Sequence, residues 1–183
     1  MADTRDILPC VEAPGVSVSL DRRMHVAALR YFAGDGPFAH AVRASVGASL
    51  PDRLCATYWA PLGVESIMAW RSPTETLFLS AAAVLLEKLE ADVASLRDGC
   101  LVVQTGGMCV LRASGARVAD LFARMGGQGV LPPLGGARRS RLAEISALAI
   151  QVQSGESLLV VERIYAEHLM HWIRSSATDF EAT

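Results

Sequence analysis

The sequence is poor in the features that usually announce a chemistry. Its four cysteines, Cys10, Cys55, Cys100 and Cys109, stand far apart with no C-x-x-C pair, so neither a zinc knuckle nor a disulfide framework is expected. Scattered thiols of this kind read as small core residues, and Cys109, inside the apolar string Met108 to Leu111, fits best. Charge of one sign is also missing. Seventeen basic against nineteen acidic residues leave a net charge of −2, which removes the electrostatic case for a nucleic-acid or anionic-membrane partner. Long hydrophobic runs are absent too: the aliphatic stretches 81–86 and 157–161 fall well short of the ~18 residues a spanning helix needs, and no basic-then-apolar leader follows Met1. A cytoplasmic protein with no membrane segment is expected.

Motifs for common catalytic sites are missing as well. No Gly-Lys-Ser/Thr triplet occurs, so nothing can cradle phosphate and magnesium in the P-loop manner. The run Gly126-Gly127-Gln128-Gly129 follows no strand and opens no helix, which excludes a dinucleotide fingerprint and leaves a loop that continues to Gly136. Ser114 sits between a strand and a helix without a G-x-S-x-G elbow, and N-capping is its expected role. His168 and His171 share a flank of the last helix but lack a third ligand, while His25 and His40 have no sequence partner. Arg138, Arg139 and Arg141 have guanidinium forks suited to a carboxylate or phosphate, but a solvated strand entrance or a salt-bridged protein interface is the expected reading. The segment Trp70-Arg71-Ser72-Pro73-Thr74-Glu75 gathers an aromatic, a cation and an acid around one turn and reads as a hairpin with Trp70 in the core. No catalytic, cofactor-binding or metal-binding residue is assigned.

What is present is a chain that must fold: 51% of its residues are hydrophobic and 20% charged. Residues 1–20, with Pro9, Pro14 and Gly15, read as an irregular lead-in. A strand is expected over 24–32 and a short helix over 38–46, with Pro37 in its first turn. Strands follow over 54–59, 66–70 and 76–80. Leu85, Leu89, Val93 and Leu96 then mark an amphipathic helix that Gly99 stops. Thr105-Gly106-Gly107 reads as the turn of a hairpin between 100–104 and 108–113. Val118, Leu121, Phe122 and Met125 mark the clearest helix. After the Gly-rich loop, 142–153 and 158–161 read as strands around Ser154-Gly155-Glu156. A last helix over 163–174 places Tyr165, Leu169, Trp172 and Ile173 on its apolar side.

Hairpins alternating with crossover helices give an α+β fold of repeated split βαβ, ferredoxin-like units, a mainly antiparallel sheet with helices on one face. One domain is expected over 21–175, with a frayed tail over 176–183.

Several segments between Leu29 and Trp172 resemble a known family. They are Leu29-Arg30-Tyr31, Ala48-Ser49-Leu50-Pro51, the segment from Ala69 through Trp70, Pro73 and Glu75 to Leu79, Val110-Leu111-Arg112-Ala113-Ser114-Gly115, and Arg139-Ser140-Arg141-Leu142-Ala143-Glu144-Ile145. The most specific is the Arg-x-Tyr-Ala-Glu-x-Leu-x-x-Trp pattern formed by Arg163, Tyr165, Ala166, Glu167, Leu169 and Trp172. Together they are similar to the gamma subunit of heterotetrameric sarcosine oxidase, a relative of the folate-binding domain of the glycine-cleavage T-protein. The chain departs from the pattern where relatives carry Gly-Pro-acid-Glu-Trp and it has Arg71-Ser72-Pro73-Thr74-Glu75-Thr76. It departs again where Met125-Gly126-Gly127-Gln128-Gly129-Val130 replaces Cys-Pro-Leu-Asp-Leu.

The resemblance implies a T-protein N-terminal-domain-like fold. It also implies a non-catalytic gamma-type subunit of a sarcosine oxidase-like amine oxidase or demethylase complex. Its partners would be large alpha- and beta-like subunits that hold FAD, FMN, NAD and tetrahydrofolate, with none of these in this chain. Two alternatives stay open, a stand-alone tetrahydrofolate-binding aminomethyltransferase-like protein and a small homo-oligomeric binding module. A complete T-protein has about twice this length, as the resemblance implies, and no cysteine here has the Lys-Gly-Cys-Tyr-x-Gly-Gln neighbourhood of the iron-sulfur repair branch.

Overall fold

A computed structural model describes residues 10–178 and 180. These residues divide into two compact units, where a single domain was expected. One comprises residues 23–106 and 135–137; the other comprises 10–22, 107–134 and 138–178 with 180. Each has its own sheet, its own pair of helices and its own apolar cluster.

The first unit runs β3 (His25–Tyr31), α1 (Pro37–Val46), β4 (Ala56–Trp59), β5 (Ser66–Ser72), β6 (Glu75–Ser80), α2 (Ala83–Val93) and β7 (Gly99–Val103). Its strands lie in the order β4-β5-β6-β3-β7, and every recorded pairing is antiparallel. Leaving out β4, this is the split βαβ arrangement in which each helix crosses from one strand to another with a third strand between them. Phe38, Val42 and Val46 of α1 and Leu86, Leu89 and Val93 of α2 cover Leu29, Met68 and Phe78 of the sheet. No side chain within α1 caps its N-terminus; the Asp98 carboxylate accepts from the Phe38 N–H at 2.9 Å instead. Gly99, expected to stop α2, opens β7, and a Cβ there would lie 2.4 Å from the Phe38 ring.

The second unit begins at the N-terminus with β1 (Val11–Ala13) and β2 (Val16–Leu20). An irregular lead-in was expected over 1–20, of which residues 1–9 lie outside the described residues. Instead Pro14-Gly15 forms a two-residue turn, with Gly15 at φ +79°, and Ala13 pairs with Val16. The unit resumes with β8 (Met108–Ser114), α3 (Val118–Gly126), β9 (Ala137–Leu142), β10 (Ile145–Gln153), β11 (Glu156–Glu162), a 3₁₀ turn (Arg163–Tyr165) and α4 (Ala166–Thr178). Strand order is β1-β2-β8-β11-β10-β9. No strand follows α4 among the described residues, and β2 takes that place beside β8, so the motif is completed from the N-terminal side.

Three local expectations are corrected. Thr105-Gly106-Gly107 is not a hairpin: β7 pairs with β3 and β8 pairs with β2 and β11, in different sheets. The continuous strand over 142–153 is broken by a turn at Ala143 (φ 48°) and Glu144 (φ 67°). The apolar side of α4 is Ala166, Leu169, Met170 and Ile173, while Tyr165 and Trp172 are exposed. Beyond α4, the expected frayed tail includes Phe180, which is buried beneath the guanidinium of Arg117, 3.8 Å from its ring centroid; the other residues of 179–183 lie outside the described residues.

Both faces of the central strands are apolar and buried, with Val26, Ile67 and Leu79 opposite the helix-facing side in the first unit and Val110, Leu148 and Val160 in the second. This explains why the strands read as apolar runs instead of alternating patterns. No described helix is long and apolar enough to cross a membrane.

The Ala143-Glu144 turn supports a stability prediction. Two consecutive left-handed residues are the geometry of a type I′ turn, where Cβ atoms cost ~1–2 kcal/mol each. The Ala143 N–H donates to Met125 O at 2.9 Å, and Arg141 donates to Glu144 O at 2.9 Å, so the turn is held from both sides. Glu144→Gly should therefore stabilise the chain by roughly 0.5–1 kcal/mol, and Glu144→Val should destabilise it by more than about 1 kcal/mol. Urea denaturation of the three proteins checks the order; a wild type more stable than the glycine variant contradicts it.

Candidate functional site

Residues singled out by type do not converge. His168 places Nε2 3.1 Å from Ala143 O, and His171 is exposed. No group of three metal-ligating side chains occurs among the described residues. His40 lies exposed on α1, and His25 is half-buried at the start of β3. Arg138 donates to Gly129 O, Arg139 to Ser146 Oγ at 2.8 Å and Arg141 to Glu144, so the three guanidiniums point to three local tasks and make no common clamp. Ser114 caps nothing; α3 begins after Arg117 without a side-chain cap.

Only Cys109 is buried, and burial pushes its thiol pKa up, which suits an inert core sulfur. Cys10, Cys55 and Cys100 are exposed, against the expectation of core positions. Cys10 donates to Glu12 at 2.8 Å, and that bond raises the thiol pKa, the opposite of activation.

The turn from Trp70 to Glu75 is the productive one. Arg71 donates through Nη1 to Glu75 Oε1 at 2.6 Å. The register of β3 against β6 sets Arg30 opposite Glu75, and Arg30 Nε donates to Oε2 at 3.0 Å. One carboxylate thus engages two permanently charged guanidiniums and is locked in place, with its side chain 16% exposed. Beneath it, the Tyr31 hydroxyl meets Thr76 Oγ1 at 2.9 Å. Trp70 is not in the core but half-buried, lining a polar cleft of about 380 Å³ with Asp35, Asp52 and Arg53.

Arg30 and Glu75 lie on the wall of a larger cleft in the same unit, about 480 Å³, at the end of the sheet where Gly99 opens β7. Arg97, Cys100 and the 83% exposed ring of Phe32 complete its lining. The Arg30 fork keeps its terminal nitrogens free of Glu75, and Arg97 has no ion pair or hydrogen bond among the described residues. Such a surface can hold an anionic or acid-bearing group against an aromatic ring. Sequence reasoning missed Arg30, Phe32 and Arg97 because they reach the Glu75 turn only through strand pairing.

No family model matches this sequence, and no curated protein matches it. Solved structures do match its fold. A chain of the heterotetrameric sarcosine oxidase of Corynebacterium sp. U-96, solved in complex with pyrrole 2-carboxylate, superposes with a TM-score of 0.81 at 18% identity, covering 95% of this chain and 90% of that one. The glycine cleavage system aminomethyltransferase T of Bartonella henselae gives 0.61 at 14% identity, covering 91% of this chain and 50% of that one, so the chain spans about half its length. The regulatory subunit of aspartate kinase from Thermus thermophilus gives 0.50 at 14% identity. The paired split βαβ units, completed from the N-terminal side, are therefore the fold of a sarcosine oxidase chain and of half of an aminomethyltransferase T.

Proposed function

We propose that this chain is a non-catalytic, gamma-type subunit of a heteromeric, sarcosine oxidase-like amine oxidase or demethylase complex. The observation that carries this reading is the coverage: the match to a chain from a heterotetrameric oxidase is nearly end to end for both chains, whereas the aminomethyltransferase is matched over half. A subunit-sized match favours an assembly role over a self-contained transferase. The side chains agree, since the cleft residues are suited to binding: Glu75 is neutralised by Arg30 and Arg71, and the Asp98 carboxylate accepts from the Phe38 N–H. In this reading large alpha- and beta-like subunits hold FAD, FMN, NAD and tetrahydrofolate. This chain supports the folate-handling subunit in the cytoplasm, where its three exposed thiols stay reduced.

Co-expression with alpha- and beta-type oxidase subunits tests it. The expected result is a single gel-filtration peak containing all chains, with flavin absorbance in that peak and none in the isolated chain. Elution of this chain apart from the large subunits overturns the reading. So does tetrahydrofolate binding by the isolated chain in calorimetry, which would instead support a stand-alone folate protein.

A further inference from the structure

We propose that the outer edge of β7 is a docking edge for an extended segment of another protein, apolar in its middle and carrying an acidic residue at the end that reaches the Arg30–Arg97 cleft. The inference stands on this unit alone and does not depend on the oxidase reading.

β7 is the last strand of its sheet. Its pairing with β3 fixes which backbone groups are used. Phe32 N–H donates to Asp98 O at 3.1 Å and Gln104 N–H to Val26 O at 2.7 Å, which makes these two the bonded pairs at either end of the register Tyr31↔Gly99 to Ala27↔Val103. In an antiparallel ladder bonded and non-bonded pairs alternate. Cys100 and Val102 therefore bond to β3, and the N–H and C=O groups of Gly99, Leu101 and Val103 face outward. None of those outward groups has a hydrogen bond among the described residues.

Natural edge strands are ordinarily protected by a charge, a proline or a bulge. Gly99-Cys100-Leu101-Val102-Val103 has none of these, and Val102 and Val103 are 38% and 52% exposed. The other edge of the sheet differs, since β4 continues into an antiparallel bridge from Cys55 to Gly136. An unprotected apolar edge is the geometry of strand addition, in which main-chain bonds give affinity and flanking contacts give selectivity.

Charge selects the occupant. At its Gly99 end the edge opens into the cleft holding Arg97 and the terminal nitrogens of Arg30 that Glu75 does not use, with Phe32 beside them; the two carboxylates of its lining are engaged, Glu75 by Arg30 and Arg71 and Asp98 by the Phe38 N–H. An acid-bearing segment neutralises these guanidiniums, whereas in an antiparallel β7–β7 pair of two copies the cleft would meet the other copy's Val103 end, which continues into Gln104, Thr105 and Gly106 and offers no carboxylate.

The test uses the full chain and two synthetic heptapeptides, Asp-Val-Thr-Val-Thr-Val-Asp and its counterpart with lysine at both ends, so that either strand direction presents the charge. Fluorescence anisotropy should give the acidic peptide at least about tenfold tighter binding. Hydrogen exchange at the Leu101 and Val103 amides, fast in the free chain, should slow by about tenfold or more on binding, with the amides of β4 unchanged. Val103→Pro removes an outward N–H and leaves the β3 ladder intact, so it should abolish binding. Arg97→Glu, an exposed change, should reverse the preference toward the lysine peptide. Equal binding of both peptides, no binding by either, or unslowed exchange at Leu101 and Val103 overturns the proposal. Concentration-dependent self-association that protects the same amides without peptide also overturns it and assigns the edge to a second copy.

Discussion

Replacing Gly115 with alanine should destabilise the protein by roughly 2–5 kcal/mol, lowering Tm by about 5–15 °C. Gly115 lies just beyond β8 at φ +121°, a conformation that L-residues rarely adopt. A Cβ there would sit 2.2 Å from Gly15 O, 2.8 Å from Gly15 C and 3.0 Å from the Val16 Cα. All three are backbone atoms of the β1–β2 hairpin, so no flexible side chain can yield. The same peptide is held from elsewhere: the Gly115 N–H donates to Gly155 O at 2.8 Å and the Arg117 N–H donates to Gly15 O at 2.9 Å. Three turns meet at this point, and movement of one disturbs the others. Gly47 is the control, because its φ of +76° shares the conformational strain while nothing lies within 4 Å of its Cβ position. Gly47→Ala should lose only about 1 kcal/mol. Thermal unfolding of both variants separates clash from strain; a Gly115 variant no worse than the Gly47 variant refutes the close-approach argument.

The same region shows what the sequence could reveal. Helix α3 was legible because Val118, Leu121, Phe122 and Met125 repeat at helical spacing and all four are buried. The order of hairpins and helices likewise exposed the split βαβ plan. Information that lies in pairing was hidden. Thr105-Gly106-Gly107 has the composition of a hairpin turn, yet whether β7 turns back on β8 depends on strands far away in the chain, and each found its partner in a separate sheet. The turn at Ala143 and Glu144 was invisible for the opposite reason. The chain contains no asparagine, and at this turn the left-handed positions fall to residues with no turn preference. Here Met125 O, the His168 ring and Arg141 hold the backbone in place of local propensity. The candidate site divides in the same way. Arg71 and Glu75 share one hairpin and could be read together, whereas Arg30 joins them only through the β3–β6 register. Trp172 belonged to the most specific motif and was assigned inward, but Leu169 and Ile173 set the buried face and leave the indole outside.

Removing the Arg112 guanidinium should have an effect as large as the glycine substitution, by a different route. Arg112, on β8, donates from Nε and Nη2 to Asp21 Oδ2 at 3.0 and 2.9 Å, and from Nη1 to Glu156 on β11. The Asp21 side chain is only 3% exposed, so its charge depends on protein partners instead of water. Asp21 directly follows β2, and its N–H donates to Val110 O at 2.8 Å, so this ion cluster anchors the N-terminal strand that completes the second sheet. Arg112→Ala leaves two carboxylates facing an emptied site, one of them buried, and should cost about 3–5 kcal/mol. Arg112→Lys should recover only part of that loss, because an ammonium cannot fork between Asp21 and Glu156 as a guanidinium does. The double variant Arg112→Met with Asp21→Asn removes both members of the buried pair and should be more stable than Arg112→Ala, since it no longer keeps a buried carboxylate whose guanidinium partner is gone. Urea unfolding with unchanged m-values reads all three differences. A loss below about 1 kcal/mol in Arg112→Ala would show that the N-terminal strand is held by Val16 and Val18 in the apolar cluster, with the ion pair contributing little.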